Sequence, residues 1–273
     1  MTYPSRATKR GLVFQPPYDQ VKIQLVPPPY AGNGHWYAIA GHFNDLAQPS
    51  VTTVLGEVYP KPWLEPWREK VAFGKVAQML KANLAPDPVQ PSVRSVVVCE
   101  TEIANLLAQA RRLPDQLRDD AAAQGTAIHV LVDRHLRGEA VPESPALVAA
   151  LRWLADHRLT VVGTEVRVWH PHYGCPGTID LVARDQDGYL VIADWKSSKV
   201  LGGNYAWQLG AYAACLQQLT GEQVETAWAV KLPKGADAQP LYEEKQVADL
   251  WWAFDGFLAC QQLYQALRRP AWR

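Results

Sequence analysis

The sequence predicts an α/β chain: a mixed central sheet flanked by helices, with an N-terminal hairpin and a helical segment ahead of it. Three observations carry this. Strand-length runs rich in apolar and β-branched residues stand at 159–169, 176–198 and 225–231. Longer stretches with apolar residues at helical spacing stand at 100–136, 204–219 and 247–268. The two kinds of segment interleave rather than forming separate blocks, the pattern of a mixed layer.

The centre of the prediction is residues 176–198. Ile179, Leu181 and Val182 surround Asp180, and the run from Tyr189 to Ala193 closes on Asp194-Trp195-Lys196. Between them lies a polar stretch ending in Asp187-Gly188, a strong hairpin signal. Strand side chains alternate, so Asp194 and Lys196 share one face and Trp195 takes the other. Asp180 can reach that face from the neighbouring strand. Two carboxylates about 4 Å apart repel by roughly 1 kcal/mol in water and about 4 at an effective dielectric near 20. A proton, a lysine or a divalent cation relieves that, and an oxygen-rich site suits Mg²⁺ or Mn²⁺. A surface hairpin with ordinary salt bridges would present the same residues, so the flanking motifs must decide.

Composition narrows the classes. The chain has 273 residues, 48% hydrophobic and 20% charged, and its 27 Lys and Arg balance 27 Asp and Glu. A bulk electrostatic case for nucleic acid is therefore absent, and a polyanion would have to be held by a local groove. No apolar run reaches membrane-span length. Residues 1–10 are basic and lack a secretory apolar core. Cys99, Cys175, Cys215 and Cys260 are scattered, without a Cys-x-x-Cys pair, which favours free thiols in a reducing compartment over a zinc site.

In chain order, residues 21–26 and 36–40 read as a hairpin, followed by Ser50-Val51-Thr52-Thr53 and a helix carrying Trp63 and Trp67 on one face. That aromatic pair is either core packing or a stacking platform for bases, with Arg68 beside it for phosphates. The three prolines of 84–91 suggest a boundary: an N-terminal lobe over 1–91 and a main core over 92–273. A helix over 100–112 and a second from Pro114 to 136, capped at Gly138, contain Gly125-x-x-x-His129. Alone, His129 would be an ordinary histidine able to pair with Asp133. Ser144-Pro145 opens a further helix. Glu165, on the strand at 159–169, either faces the site or is a salt-bridged edge residue. Gln208 and Tyr212 lie one helical turn apart.

In order, Gly125-x-x-x-His129, Glu165, Gly177-Thr178-Ile179-Asp180, Asp194-Trp195-Lys196-Ser197 and Gln208-x-x-x-Tyr212 resemble the PD-(D/E)xK nuclease superfamily, in its RecB-like exonuclease branch of phage-type and mitochondrial single-strand enzymes. The resemblance implies a restriction-endonuclease-like fold. It also implies that Asp180, Asp194, the backbone carbonyl of Trp195 and His129 hold Mg²⁺ or Mn²⁺. Lys196 would act on the attacking water and Glu165 on the surrounding water network. Gln208 and Tyr212 would contact the strand or brace Lys196. Beside the resemblance, Ser197 and, if the aromatic pair is a stacking platform, Trp63, Trp67 and Arg68 are expected to contact nucleic acid. The closely spaced cysteine cluster of iron–sulfur members is not matched, so no such cluster is expected.

The implied activity is a metal-dependent DNA exonuclease on single strands or strand ends, in recombination, repair or replication. Its setting would be the cytoplasm of a bacterial or phage-infected cell, without membrane contact and with recombination or replication proteins as candidate partners. A structure-specific endonuclease is the nearest rival. A non-catalytic single-strand-binding module, or a two-carboxylate glycosidase needing no cation, lies further off.

Overall fold

In a computed structural model describing residues 23–269 apart from 30–33, 44–45, 87–88, 90–93 and 97, a five-stranded sheet positions the candidate residues. Its strands are β6 (Thr160–Val168), β7 (Gly177–Arg184), β8 (Leu190–Lys196), β9 (Val224–Lys231) and β10 (Glu243–Gln246), in the order β10-β9-β8-β7-β6. β8 and β9 are parallel and the other neighbours antiparallel, so the sheet is mixed. Parallel neighbours need a crossover, and helix α5 (Gly203–Thr220) provides it. The basic start at 1–10 lies outside the described residues.

The β7–β8 hairpin forms where Asp187-Gly188 predicts it. Asp185 Oδ1 accepts the N–H groups of Asp187 (3.0 Å) and Tyr189 (2.9 Å), and Gly188 adopts φ 84°. Both faces of the hairpin are covered, which explains its nearly unbroken apolar runs. On one side, Leu181, Ala193, Trp195, Val230 and Leu232 pack with helix α4 (Pro145–Asp156), where Trp153 meets Trp195 edge-on at 5.5 Å. On the other, Ile192, Ala227 and Ala229 pack with α5 and the last helix, α6 (Leu250–Arg268). Ser144 caps α4 by accepting the Leu147 N–H.

The N-terminal hairpin, β1 (Ile23–Val26) with β2 (Trp36–Ile39), gains a third strand, β3 (Gln48–Pro49). It docks on the β6–β7 end of the main sheet: Arg167 donates to the Ile23 carbonyl (2.8 Å), and Tyr37 shares a hydrogen bond with Thr178 (2.9 Å). Short helix α1 (Val51–Val58) follows, capped by Ser50 Oγ on the Thr53 N–H and tied to the Pro176 carbonyl through the Val51 N–H. Its Val-Thr-Thr-Val start favours strand by propensity, and the cap together with burial of Val51, Val54 and Leu55 overrides it.

One difference from expectation stands out. Residues 100–136 form one helix, α3 (Glu100–Leu136), with Pro114 inside it rather than at a break. Pro114 lacks only its own N–H, and the ladder continues on both sides of that lost bond. The chain also divides into one compact unit of Met1–Tyr59 with Ala127–Arg273 and another of Pro60–Thr126. That second unit holds helix α2 (Leu64–Ala82), the short pair β4 (Ala85–Pro86) and β5 (Arg94–Ser95), and the first part of α3. Among the described residues, no helix is long and apolar enough to cross a membrane.

Candidate active site

The site sits where β7 and β8 part. Their ladder runs from Arg184↔Leu190 to Leu181↔Ala193 and pairs no further. At the next step Asp180 Oδ2 accepts the Trp195 N–H at 2.8 Å, so a carboxylate occupies the place of a ladder carbonyl. Beyond that point the strand ends carry Asp180 on one side and Asp194-Trp195-Lys196 on the other. Trp195 turns into the α4 core, as alternation requires, and Asp194 and Lys196 turn towards α5.

Asp194 is 2% exposed and belongs to a closed network. Its Oδ1 accepts Gln208 Nε2 at 2.7 Å, while Oδ2 forms an ion pair with the Lys196 ammonium. Gln208 Oε1 in turn accepts from Lys196 Nζ at 3.1 Å, and its amide donates to the Tyr212 hydroxyl at 3.2 Å. The Tyr205 ring lies 4.6 Å from Lys196 Nζ, in cation–π range. Burial pushes the Asp194 carboxyl up. Burial alone would lower the Lys196 ammonium, but the Asp194 and Asp180 charges outweigh it and hold it above its ordinary value. The Tyr212 ring lies against the start of β7, where a Cβ on Gly177 would stand 2.4 Å from it. Only glycine lets the strand pass so close.

Asp180 belongs to a different group. His129 Nδ1, on the last turns of α3, lies 3.2 Å from Asp180 Oδ2. Glu165 stands on β6 between the Thr164↔Leu181 and Val166↔Ile179 pairs, opposite Asp180. One ligand atom from each of His129, Glu165 and Asp180 falls within 4.8 Å of the others, a donor set of one imidazole and two carboxylates. Glu165 has φ 51°, the left-handed region that costs a non-glycine residue about 1–3 kcal/mol and is found at functional sites. Burial and the neighbouring Asp180 and Asp133 push its carboxyl up to about 7. On His129, burial opposes charge, and the Asp180 carboxylate reverses that to raise the imidazole.

Asp180, Asp194, Lys196, His129, Glu165, Gln208 and Tyr212 thus converge at one end of the sheet. Glu165, left open between a site residue and a salt-bridged edge residue, faces the site. Asp133 pairs with Arg137 rather than with His129. Asp194 stands outside the three-residue donor set. Gln208 and Tyr212 are both buried: Gln208 hydrogen-bonds Asp194 and Lys196, and the Tyr212 hydroxyl accepts from the Gln208 amide. Ser197 follows on the half-buried end of β8. Trp63, Trp67 and Arg68 lie in the other unit: Trp63 precedes α2 and is 60% exposed, Trp67 is half-buried, and Arg68 is bidentate to Asp115 at 2.7 and 3.3 Å. Tyr37 and Tyr205 border the site without any signal in the linear pattern, because a tyrosine among apolar residues reads as core.

The sequence model of the PD-(D/E)XK nuclease superfamily matches residues 149–269, from within α4 to the end of α6. That stretch belongs to the superfamily. The nuclease core so defined contains Glu165, Asp180, Asp194, Lys196, Gln208 and Tyr212, and His129 precedes it on α3. The chain is also 38% identical over 56 residues to an ATP-dependent helicase/nuclease polypeptide of Carboxydothermus hydrogenoformans, spanning 18% of this chain and 5% of that protein. Among solved structures, an alkaline exonuclease from Laribacter hongkongensis has a TM-score of 0.35 at 12% identity, covering 81% of this chain and 92% of its own. The same enzyme in complex with dAMP has a TM-score of 0.27 at 18% identity, covering 53% and 83%. Likenesses at those scores bear neither on fold nor on activity.

Proposed function

We propose that the nuclease core is a divalent-cation-dependent deoxyribonuclease, acting as an exonuclease on single strands or strand ends in recombination, repair or replication. The observation that carries this is the meeting of Asp180, Asp194 and Lys196 at the open end of the β7–β8 ladder. The donor set of His129, Glu165 and Asp180 fits a hard cation: two carboxylates and an imidazole within mutual reach, with Asp194 on the adjacent strand end. His129, Asp180, Asp194 and the Trp195 backbone carbonyl would hold Mg²⁺ or Mn²⁺, with Glu165 beside them. N–H and C=O of one strand residue point to the same side, so the Trp195 carbonyl faces the gap that its N–H spans. When bound, such a cation supplies Lewis acidity for phosphodiester hydrolysis.

The chain's own residues supply the rest. Lys196, fixed by Asp194, Gln208 and Tyr205, presents an ammonium to the position of an attacking water or a phosphate oxygen. Glu165, beside Asp180 and His129, stands next to that position. Gln208 and Tyr212 brace the pair, and Ser197 lies at the strand end where nucleic acid would pass. In the helical unit, the exposed Trp63 ring with Trp67 offers a base-stacking surface, and Arg68 would bind phosphate there by exchanging its Asp115 partner.

The test is digestion of an end-labelled single-stranded oligonucleotide with Mg²⁺, Mn²⁺ or EDTA, beside the Asp194→Ala variant. Cation-dependent release of short products, lost in the variant while oligonucleotide binding remains, is expected. Cleavage by Asp194→Ala, or cleavage in EDTA, overturns the assignment. Equal cleavage of a circular single strand would replace exonuclease by endonuclease.

A further inference from the structure

Arg137 follows the last residue of α3 at the rim of the site, and no step so far uses it. Its Nε donates to Asp133 Oδ1 at 2.8 Å and lies 3.3 Å from Thr164 Oγ1. Neither terminal amino group of the guanidinium has a hydrogen-bond partner among the described residues, and the side chain is 52% exposed. Thr164 immediately precedes Glu165, so the guanidinium stands beside the carboxylate group, and its charge reaches the Glu165 carboxyl. The other cations here are committed inward: Lys196 is 15% exposed and held by Asp194 and Gln208, and His129 faces Asp180.

An arginine anchored at its elbow and open at its fork has little left to order on binding a tetrahedral anion. Its two parallel donors match the non-bridging oxygens of a phosphate. A polyanionic strand approaching Glu165, Asp180 and Asp194 also needs cationic charge outside the donor set. We propose that Arg137 binds a backbone phosphate neighbouring the one hydrolysed, positioned for it by Asp133 and Thr164. This rests on the nuclease function proposed above. The competing explanation is a plain surface ion pair of helix spacing, which would leave strand binding untouched.

The test measures KM and kcat for a single-stranded oligonucleotide with Mn²⁺ over a range of KCl, using the full chain as wild type, Arg137→Gln, Arg137→Lys and Thr164→Val. For Arg137→Gln, KM should rise about tenfold or more with kcat within about threefold. The slope of log KM against log salt should flatten by about 0.7, one phosphate contact on a single strand. Arg137→Lys should keep the slope but raise KM, because charge survives and the fork does not. Thr164→Val, which preserves the ion pair and the packing, should raise KM by a few fold. Wild-type KM and slope in Arg137→Gln overturn the proposal while leaving the nuclease assignment standing. An inactive wild type overturns the nuclease assignment and the role of Arg137 with it. If Arg137→Gln melts early, unchanged KM in both Arg137→Lys and Thr164→Val overturns the proposal instead.

Discussion

Asp180 and Asp194 stand on adjacent strand ends and live in different surroundings. Asp194 is enclosed, with its oxygens assigned to Gln208 and Lys196. Asp180 stands among groups that offer lone pairs, His129 and Glu165, and ties β7 to β8 by accepting the Trp195 N–H. One half of the site is a hydrogen-bonded network that sets the lysine, and the other is a cluster of one imidazole and two carboxylates. The difference separates the orientation of a charged side chain from the gathering of lone pairs, and under the proposed function the second is the larger contributor to cation affinity.

The sharpest way to break the comparison is to neutralise each carboxylate in turn. Asp180→Asn and Asp194→Asn should both lower cleavage by about three orders of magnitude. Titration calorimetry with Mn²⁺ should separate them, with the larger loss of affinity in Asp180→Asn and a comparable loss in His129→Ala. Equal losses in Asp180→Asn and Asp194→Asn would merge the two halves into one cation cage. Next in size, Gly177→Ala pushes a methyl group into the Tyr212 ring and should destabilise the fold by about 1–3 kcal/mol in urea denaturation. The added loss should shrink in a Tyr212→Ala background, and simple additivity would remove the ring from that role. Gln208→Ala should lower kcat by about ten- to a hundredfold with a smaller change in Mn²⁺ affinity, since it deprives Asp194 and Lys196 of a shared partner. Smallest, Ser144→Ala should cost about 1 kcal/mol of stability through the lost α4 cap and leave kcat unchanged.

Much of this arrangement was legible in the linear chain, for physical reasons that differ by element. The β7–β8 hairpin announces itself because Asp-Gly chemistry is local and its strands are apolar on both faces. Gly138 and Ser144 mark helix ends for the same local reason. His129 gained meaning only from its order relative to later motifs, since nothing local distinguishes a ligand from a packed imidazole. β10 went unseen because its Glu-Glu-Lys-Gln sequence carries no apolar period, and its pairing with β9 is fixed by tertiary contacts, among them Glu244 with His157 at 2.8 Å. Tyr37 was out of reach as well: the hydrogen bond it shares with Thr178 spans 141 residues.

The placing of Trp195 between Asp194 and Lys196 has a consequence for folding fidelity. A slip of β8 by a single position against its neighbours would thrust two charges into the space beside Trp153 and swing an indole out over the donor cluster. Such a conformer would carry unpaired ions in an apolar layer and be strongly disfavoured. The strand therefore proofreads itself: whatever molecules pass the stability threshold already hold the aspartate and the lysine on the side where they can work.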